Sequence, residues 1–248
     1  SAVASGTGNP LDSINYIVNA FSMSKAKDQF TTNQHAYSTN NFLINSEVAE
    51  PPKWFRNFYS DVSLGNLWSA IGMGLTTDGS VVPWGLPYYN LVSDAPSGTG
   101  FIDIAGGSYW AVVIDSDGSL SSWGQLPQDP HPTGTGFTKV VADWGHGLAL
   151  ASDGSISAWG NDAYGSVSYT PKGTGFTDIA VSLNSSFAID SAGSCVHWGN
   201  PYTDIKNVPV GTGFTKIAAG NNHALALDSA GSVSSWGAEW CAGYTGAS

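Results

Sequence analysis

Residues Gly211 to Gly237 read GTGFTKIAAGNNHALALDSAGSVSSWG, and this stretch decides the fold. Phe214, Ile217 and Ala218 form a short apolar strand, a. Gly220, Asn221 and Asn222 follow as a turn. Ala224 to Leu227 form strand b, an apolar run of the kind buried on both faces. Ser229-Ala230-Gly231-Ser232 makes a tight hairpin, and Val233 to Trp236 form strand c. In three other places the hairpin holds Asp78-Gly79, Asp117-Gly118 or Asp153-Gly154. Asp-Gly is the pair favoured by a type I′ turn, which needs positive φ at both central residues.

The unit recurs. Trp-Gly stands at Trp84, Trp123, Trp159, Trp198 and Trp236, spaced 39, 36, 39 and 38 residues apart. GTGF opens at Gly98, Gly134, Gly173 and Gly211, spaced 36, 39 and 38 apart. Two markers with one period mean one supersecondary unit copied along the chain. A variable stretch after each Trp-Gly often holds a proline (Pro96, Pro132, Pro171, Pro209), which suits an edge strand d or a loop. Three to four antiparallel strands per copy fit one blade of a β-propeller, so the chain is read as all-β. Each sheet has two apolar faces that it cannot bury alone, and radial stacking buries them. The recurring Trp is placed between neighbouring blades. A β-solenoid is the other candidate, but its coils are shorter and lack Asp-Gly hairpins.

The stretch Ala218 to Gly237 resembles the repeat of the regulator of chromosome condensation family. Trp159-Gly160-Asn161 followed by Gly165 resembles that family's continuation after Trp-Gly. The short period is closer to the compact bacterial relatives, among them the propeller-type β-lactamase inhibitor. The resemblance covers about residues 58–237. It implies a propeller and, loosely, protein binding. Nucleotide exchange and chromatin binding do not carry over, because only fragments of the eukaryotic pattern are present.

Residues 58–248 are assigned to the propeller. Residues 1–57 read either as a degenerate blade with extra loops or as an arm that anchors it. Ser5-Gly6-Thr7-Gly8 echoes the GTGF marker, and Asn33-Gln34-His35-Ala36-Tyr37 echoes Asn221-Asn222-His223-Ala224-Leu225. The count is about six blades, within a range of five to seven. The Trp240–Ser248 tail is a candidate to pair with the N-terminal segment.

Eight Lys and Arg face nineteen Asp and Glu, for a net charge of −11. Such a surface repels nucleic acid and anionic lipid. Charged residues make up only 11%, so polarity comes from Ser, Thr, Asn and Gly. That composition suits an extracellular, cell-surface or virion protein and is compatible with the cytoplasm. No apolar run has the length of a membrane span, and no membrane insertion is expected. The opening SAVASGTGNP lacks the n- and h-regions of a signal peptide. Cys195 and Cys241 read as buried thiols or as a disulfide pair, with no CxxC and no metal-type spacing.

Antiparallel order puts the a–b turns and the connections after strand c at one end of the propeller. The b–c hairpins and GTG turns lie at the other end, and these vary little between copies. The first end varies. At the position of His223 the other copies have Ile71, Trp110, His146 and Ser185. Beside it stand Tyr109, Asp143, Trp144, Asn184, Asn221 and Asn222, and the connections add Tyr88, Tyr89, Tyr164 and Tyr202. Loop aromatics on a rigid scaffold are a recurrent recognition surface, while aromatics in such turns also pack inward. This end is therefore the candidate binding face for a protein partner, for self-assembly or for a glycan. No catalytic constellation, metal motif or cofactor fingerprint is present in the sequence, and the expected role is non-enzymatic. Asp115-Ser116-Asp117-Gly118-Ser119 has the opening of a calcium loop without its later ligands, so it reads as a hairpin.

Overall fold

A computed structural model describes residues 59–64, 71–85, 88–125, 127, 130–202 and 204–237. The proposed pairing of the 240–248 tail, Cys241 and the role of residues 1–57 lie outside these residues. The described chain forms five antiparallel sheets of three strands, each with b in the middle. Blade one holds β1 (Tyr59–Leu64), β2 (Ile71–Thr76) and β3 (Val81–Gly85). Blade two holds β4 (Asp103–Gly106), β5 (Trp110–Ile114) and β6 (Leu120–Gly124). Blade three holds β7 (Phe137–Ala142), β8 (His146–Ala151) and β9 (Ile156–Gly160). Blade four holds β10 (Asp178–Ser182), β11 (Ser185–Ile189) and β12 (Cys195–Gly199). Blade five holds β13 (Phe214–Ala219), β14 (His223–Asp228) and β15 (Val233–Gly237). The a strands follow one another as neighbours, β1 with β4, β4 with β7, β7 with β10 and β10 with β13. No described connection after strand c forms a strand d. Three of them carry a short 3-10 turn instead, Tyr88–Asn90, Ala163–Gly165 and Asp204–Lys206.

Alternation along strand b builds the core. In β5, Trp110, Val112 and Ile114 face blade three, while Ala111 and Val113 face blade one. In β8, Leu148 and Leu150 face blade four and Ala149 faces blade two. The four apolar clusters are thus the four interfaces between successive blades. Each described core Trp packs on the preceding blade: Trp123 with Met73 and Leu75, Trp159 with Val112 and Ile114, Trp198 with Leu148 and Leu150, Trp236 with Phe187 and Ile189. Its cross-strand partner is always small, namely Gly72 for Trp84, Ala111 for Trp123, Gly147 for Trp159, Ser186 for Trp198 and Ala224 for Trp236. A Cβ on Gly147 would lie 2.6 Å from the Trp159 ring, so the indole itself selects a small neighbour.

Strand a is an edge strand, and its outward N–H groups need acceptors from elsewhere. The preceding blade provides them. Asp103 Oδ2 accepts from Val140 N at 2.7 Å, and Asp178 Oδ2 accepts from Ile217 N at 2.8 Å. Val140 and Ile217 each follow a register shift, at Phe137/Lys139 and Phe214/Lys216. Between blades three and four, Lys139 Nζ donates to Asp178 Oδ1 and, at 3.0 Å, to the Ile179 carbonyl. Asp178 is buried, so its charge is compensated from both sides.

The hairpins differ from the expected type I′ turn, because positive φ occurs at Gly79, Gly118 and Gly154 but not at the preceding Asp. Gly79 N closes on the Thr76 carbonyl three residues back, at 2.9 Å. Gly118 N and Gly154 N close in the same way, and Asp78, Asp117 and Asp153 each also accept the N–H two residues on, from Ser80 at 3.1 Å, Ser119 at 2.9 Å and Ser155 at 2.8 Å. This Asx bond keeps Asp out of the left-handed region and leaves only the Gly there.

Candidate functional site

The two ends of the blades are defined by hydrogen bonds. Gln125 N donates to Tyr109 O at 2.7 Å, Asn161 N to Gly145 O at 2.8 Å and Asn200 N to Asn184 O at 2.9 Å. Each bond ties the exit of strand c to the a–b turn of the same blade, so both lie at one end. At the other end the GTG turn of one blade lies on the hairpin of the blade before it, as in Phe176 N to Gly154 O at 3.0 Å.

The repeated Trp positions the first end. Trp123 Nε1 donates to Leu91 O at 2.9 Å, Trp198 Nε1 to Ser166 O at 2.9 Å and Trp236 Nε1 to Ile205 O at 2.7 Å. Leu91 follows the 3-10 turn Tyr88–Asn90, Ser166 follows Ala163–Gly165, and Ile205 lies within Asp204–Lys206. These are the connections that carry Tyr89, Tyr164 and Tyr202. A core residue of blades two, four and five thus fixes the aromatic loop that precedes that blade. Buried indole N–H groups require acceptors, which is why the loop backbone is held this closely.

Tyr89, Tyr164, Tyr202 and Trp144 are all exposed, Tyr202 at 82% and Trp144 at 45%. Tyr89 and Tyr109 rings lie 4.8 Å apart, and Tyr164 and Tyr202 rings lie 5.9 Å apart and nearly perpendicular. Tyr89 (φ 51) and Tyr164 (φ 60) occupy the left-handed region. That conformation costs a bulky L-residue on the order of 1–2 kcal/mol. Asn161 and Asp162 hold the Tyr164 loop. Asn161 Oδ1 accepts from Ala163 N at 2.8 Å, and Asp162 Oδ1 accepts from Val167 N and Ser168 N, both at 2.8 Å.

Trp110 and His146, expected on this face, lie inside. Trp110 is 2% exposed and meets Trp159 edge-on at 6.0 Å. It opens strand b on the side turned to the next blade, where its ring fills the interface. Its Nε1 donates to the Trp144 carbonyl at 3.3 Å. His146 occupies the same strand position and is buried, with Nε2 at 3.0 Å from Ser186 Oγ. Burial pushes the His146 imidazole down to about 4, against a smaller opposing effect of Asp162. Ser186 Oγ in turn donates to the Ser166 carbonyl at 3.2 Å, so this network also braces the Tyr164 loop.

The remaining expected residues sit at the turns. Asp143 Oδ1 accepts the Trp144 N–H at 2.7 Å. Asn184, Asn221 and Asn222 are half-buried in their a–b turns. Tyr88 lies in its 3-10 turn beside Tyr89. Tyr169, 71% exposed beyond the Tyr164 loop, was not foreseen, and no repeat position marks it. Cys195 is a free thiol that burial, and then Asp190, push up to about 11. Among the described residues no group of three His, Cys, Asp or Glu is placed to hold a metal ion, and no helix is long and apolar enough to cross a membrane.

Residues 214–239 match the model of the regulator of chromosome condensation repeat. A search of curated proteins finds no match to this chain. Among solved structures, the CRINKLY ectodomain of the Arabidopsis thaliana receptor kinase ACR4 is similar at 21% identity and a TM-score of 0.59, over 80% of this chain and 68% of that one. The Saccharomyces cerevisiae protein Prp20 is similar at 18% identity in two structures. In one the TM-score is 0.55, over 79% of this chain and 63% of that one. In the other, where Prp20 is bound by Kap60, it is 0.59, over 88% and 64%. The chain therefore spans about two thirds of the length of these proteins. Repeat, blade order and likeness agree on a β-propeller, whose fifth described blade matches the regulator of chromosome condensation repeat.

Proposed function

We propose that this chain is a non-enzymatic binding propeller that holds a protein partner on the end carrying Tyr89, Trp144, Tyr164 and Tyr202. The observation that carries this reading is the gathering of exposed aromatics there, on loops fixed by buried indoles. Two of these tyrosines stand at positive φ, a backbone cost that favours function over packing as its reason. Rigid aromatic side chains provide contact area with little entropy loss, and they dominate binding hot spots. The similar yeast propeller is described with Gsp1p and histones as binding partners and in complex with Kap60. The polar, weakly charged and acidic composition supports exposure at a cell or virion surface, where such a face would serve attachment or assembly with further copies.

A photo-reactive amino acid at position 202 tests the reading. It should label a protein from the native source or a second copy of the chain. The same probe at Thr99, on the opposite end, should not. Labelling that survives Tyr164→Ala, or that arises equally at Thr99, would count against this face. Tyrosine pairs also stack on sugar rings. Glycan-array binding lost in Tyr164→Ala would replace the protein reading with a carbohydrate one.

A further inference from the structure

Two pairs of tyrosines on the aromatic end meet at an angle. The ring planes of Tyr164 and Tyr202 stand 74° apart, and those of Tyr89 and Tyr109 stand 59° apart. Rings packed edge to face leave a notch with an aromatic face on each of its two walls. Tyr164 and Tyr202 are 51% and 82% exposed, so their notch is open to solvent. Its walls come from the connections after blades three and four, and each is fixed by its own loop. Asn161 and Asp162 hold the Tyr164 side. On the other side Asn200 Oδ1 accepts from Tyr202 N at 2.9 Å, and Lys206 Nζ donates to the Pro201 carbonyl at 2.6 Å. Tyr169 widens the patch. Its N–H donates to Gly165 O at 3.1 Å, and a Cβ on Gly165 would lie 2.2 Å from Tyr169 Cδ2. The glycine thus leaves room for the ring of a third exposed tyrosine beside Tyr164.

The polar groups around this notch are engaged by the loops themselves. Asp162 accepts two backbone N–H groups, the Lys206 ammonium is bonded to a carbonyl, and the Asn161 and Asn200 side chains accept from their own loops. A basic side chain would look for a free carboxylate, and a sugar would look for amide and carboxylate partners beside a single flat ring. A rigid, uncharged group that fits between two aromatic planes suits the notch better. Proline is that group. A segment in the polyproline II conformation has no internal hydrogen bonds, so its carbonyls are free to accept from tyrosine hydroxyls. It is also ordered before it binds, and aromatic-lined grooves use this property. We propose that the partner presents a proline-rich segment in this conformation, with a pyrrolidine ring seated between Tyr164 and Tyr202 and a tyrosine hydroxyl donating to a carbonyl of the segment. This inference rests on the binding face proposed above and names what occupies it.

Titration of the full chain with a blocked decaproline peptide, followed by the tyrosine ring signals in NMR spectra, tests it. Binding should saturate. Tyr164→Ala and Tyr202→Ala should each weaken it at least about tenfold. Tyr202→Phe keeps the wall and loses the hydroxyl, and should weaken it by only about threefold. Thr99→Ala, at the opposite end, should leave it within about twofold. Excess decaproline should also displace the natural partner from the unsubstituted chain. Binding that fails to saturate, or that Tyr164→Ala leaves unchanged, would overturn the proposal. If the natural partner is nonetheless held and is lost in Tyr164→Ala, the binding face stands and only its occupant is wrong. A glycine-serine decapeptide or an octa-arginine peptide that binds this notch as tightly as decaproline would also overturn the proposal, the second by assigning the rings to a cation.

Discussion

Trp110 donates its indole N–H to the backbone carbonyl of Trp144, 3.3 Å away, so a buried tryptophan of blade two supports the turn that presents an exposed tryptophan of blade three. The two residues face opposite environments, and substituting them separates packing from recognition. Trp110→Ala removes a core ring and should cost about 3–5 kcal/mol of unfolding free energy. Trp144→Ala should change stability by under about 1 kcal/mol while weakening partner binding. Chemical denaturation of the two variants checks both values.

The Tyr164 backbone provides a second separation. Glycine adopts φ near 60° without the strain that a Cβ brings, although it loses more chain entropy on folding. Tyr164→Gly should therefore be at least as stable as Tyr164→Ala, and both should lose partner binding to a similar degree. Thermal unfolding of the pair, read beside binding, is the check.

Trp198→Phe keeps most of the apolar volume and removes the N–H that holds the Ser166 carbonyl. The Tyr164 loop should then loosen, with faster exchange of the amides of Val167 and Ser168, while blades three and four remain folded. Unchanged exchange at these two amides would show that Asp162 alone fixes the loop.

Asp178 joins three blades through Lys139 and the Ile217 amide. Asp178→Ala leaves a half-buried ammonium and an N–H without their partner. It should cost about 3–5 kcal/mol, as for other broken buried pairs. Lys139→Met should also destabilise, since it leaves a buried carboxylate with one donor fewer. Urea denaturation measures both.

Acid should weaken the fold through His146. Its folded pKa, about 4, lies below the ordinary value of 6.5, so between these limits the unfolded chain binds the extra proton. Stability is unaffected by this group above pH 6.5 and falls as the pH drops toward 4, by on the order of 3 kcal/mol in total. His146→Asn should flatten that part of the stability–pH curve.

The period of the blades was legible because Trp-Gly and GTG are dictated by geometry that every copy shares: a ring between blades, and a turn seated on a hairpin. The fate of individual aromatics was not. Trp144 stands two positions before His146, the repeat equivalent of Trp110, so in the sequence the two tryptophans nearly coincide within the repeat. Only the turn between strands a and b sends one ring inward and leaves the other outside. Nor did anything mark Tyr89 or Tyr164 as left-handed, since neither is Gly or Asn. The inter-blade bonds of Asp103 and Asp178 had a readable trace, the alternation Asp103, Lys139, Asp178, Lys216 two residues after each GTGF phenylalanine.

Paired substitutions at the two ends test the binding face most directly. Trp144→Ala/Tyr164→Ala/Tyr202→Ala should lower affinity for the partner captured at position 202 by at least about 100-fold, with the five sheets intact by circular dichroism. Thr99→Arg/Thr174→Arg, on exposed tips of the GTG turns, should leave affinity within about twofold. The reverse outcome, with full affinity in the aromatic variant and loss in the arginine variant, would contradict the assignment of the binding face.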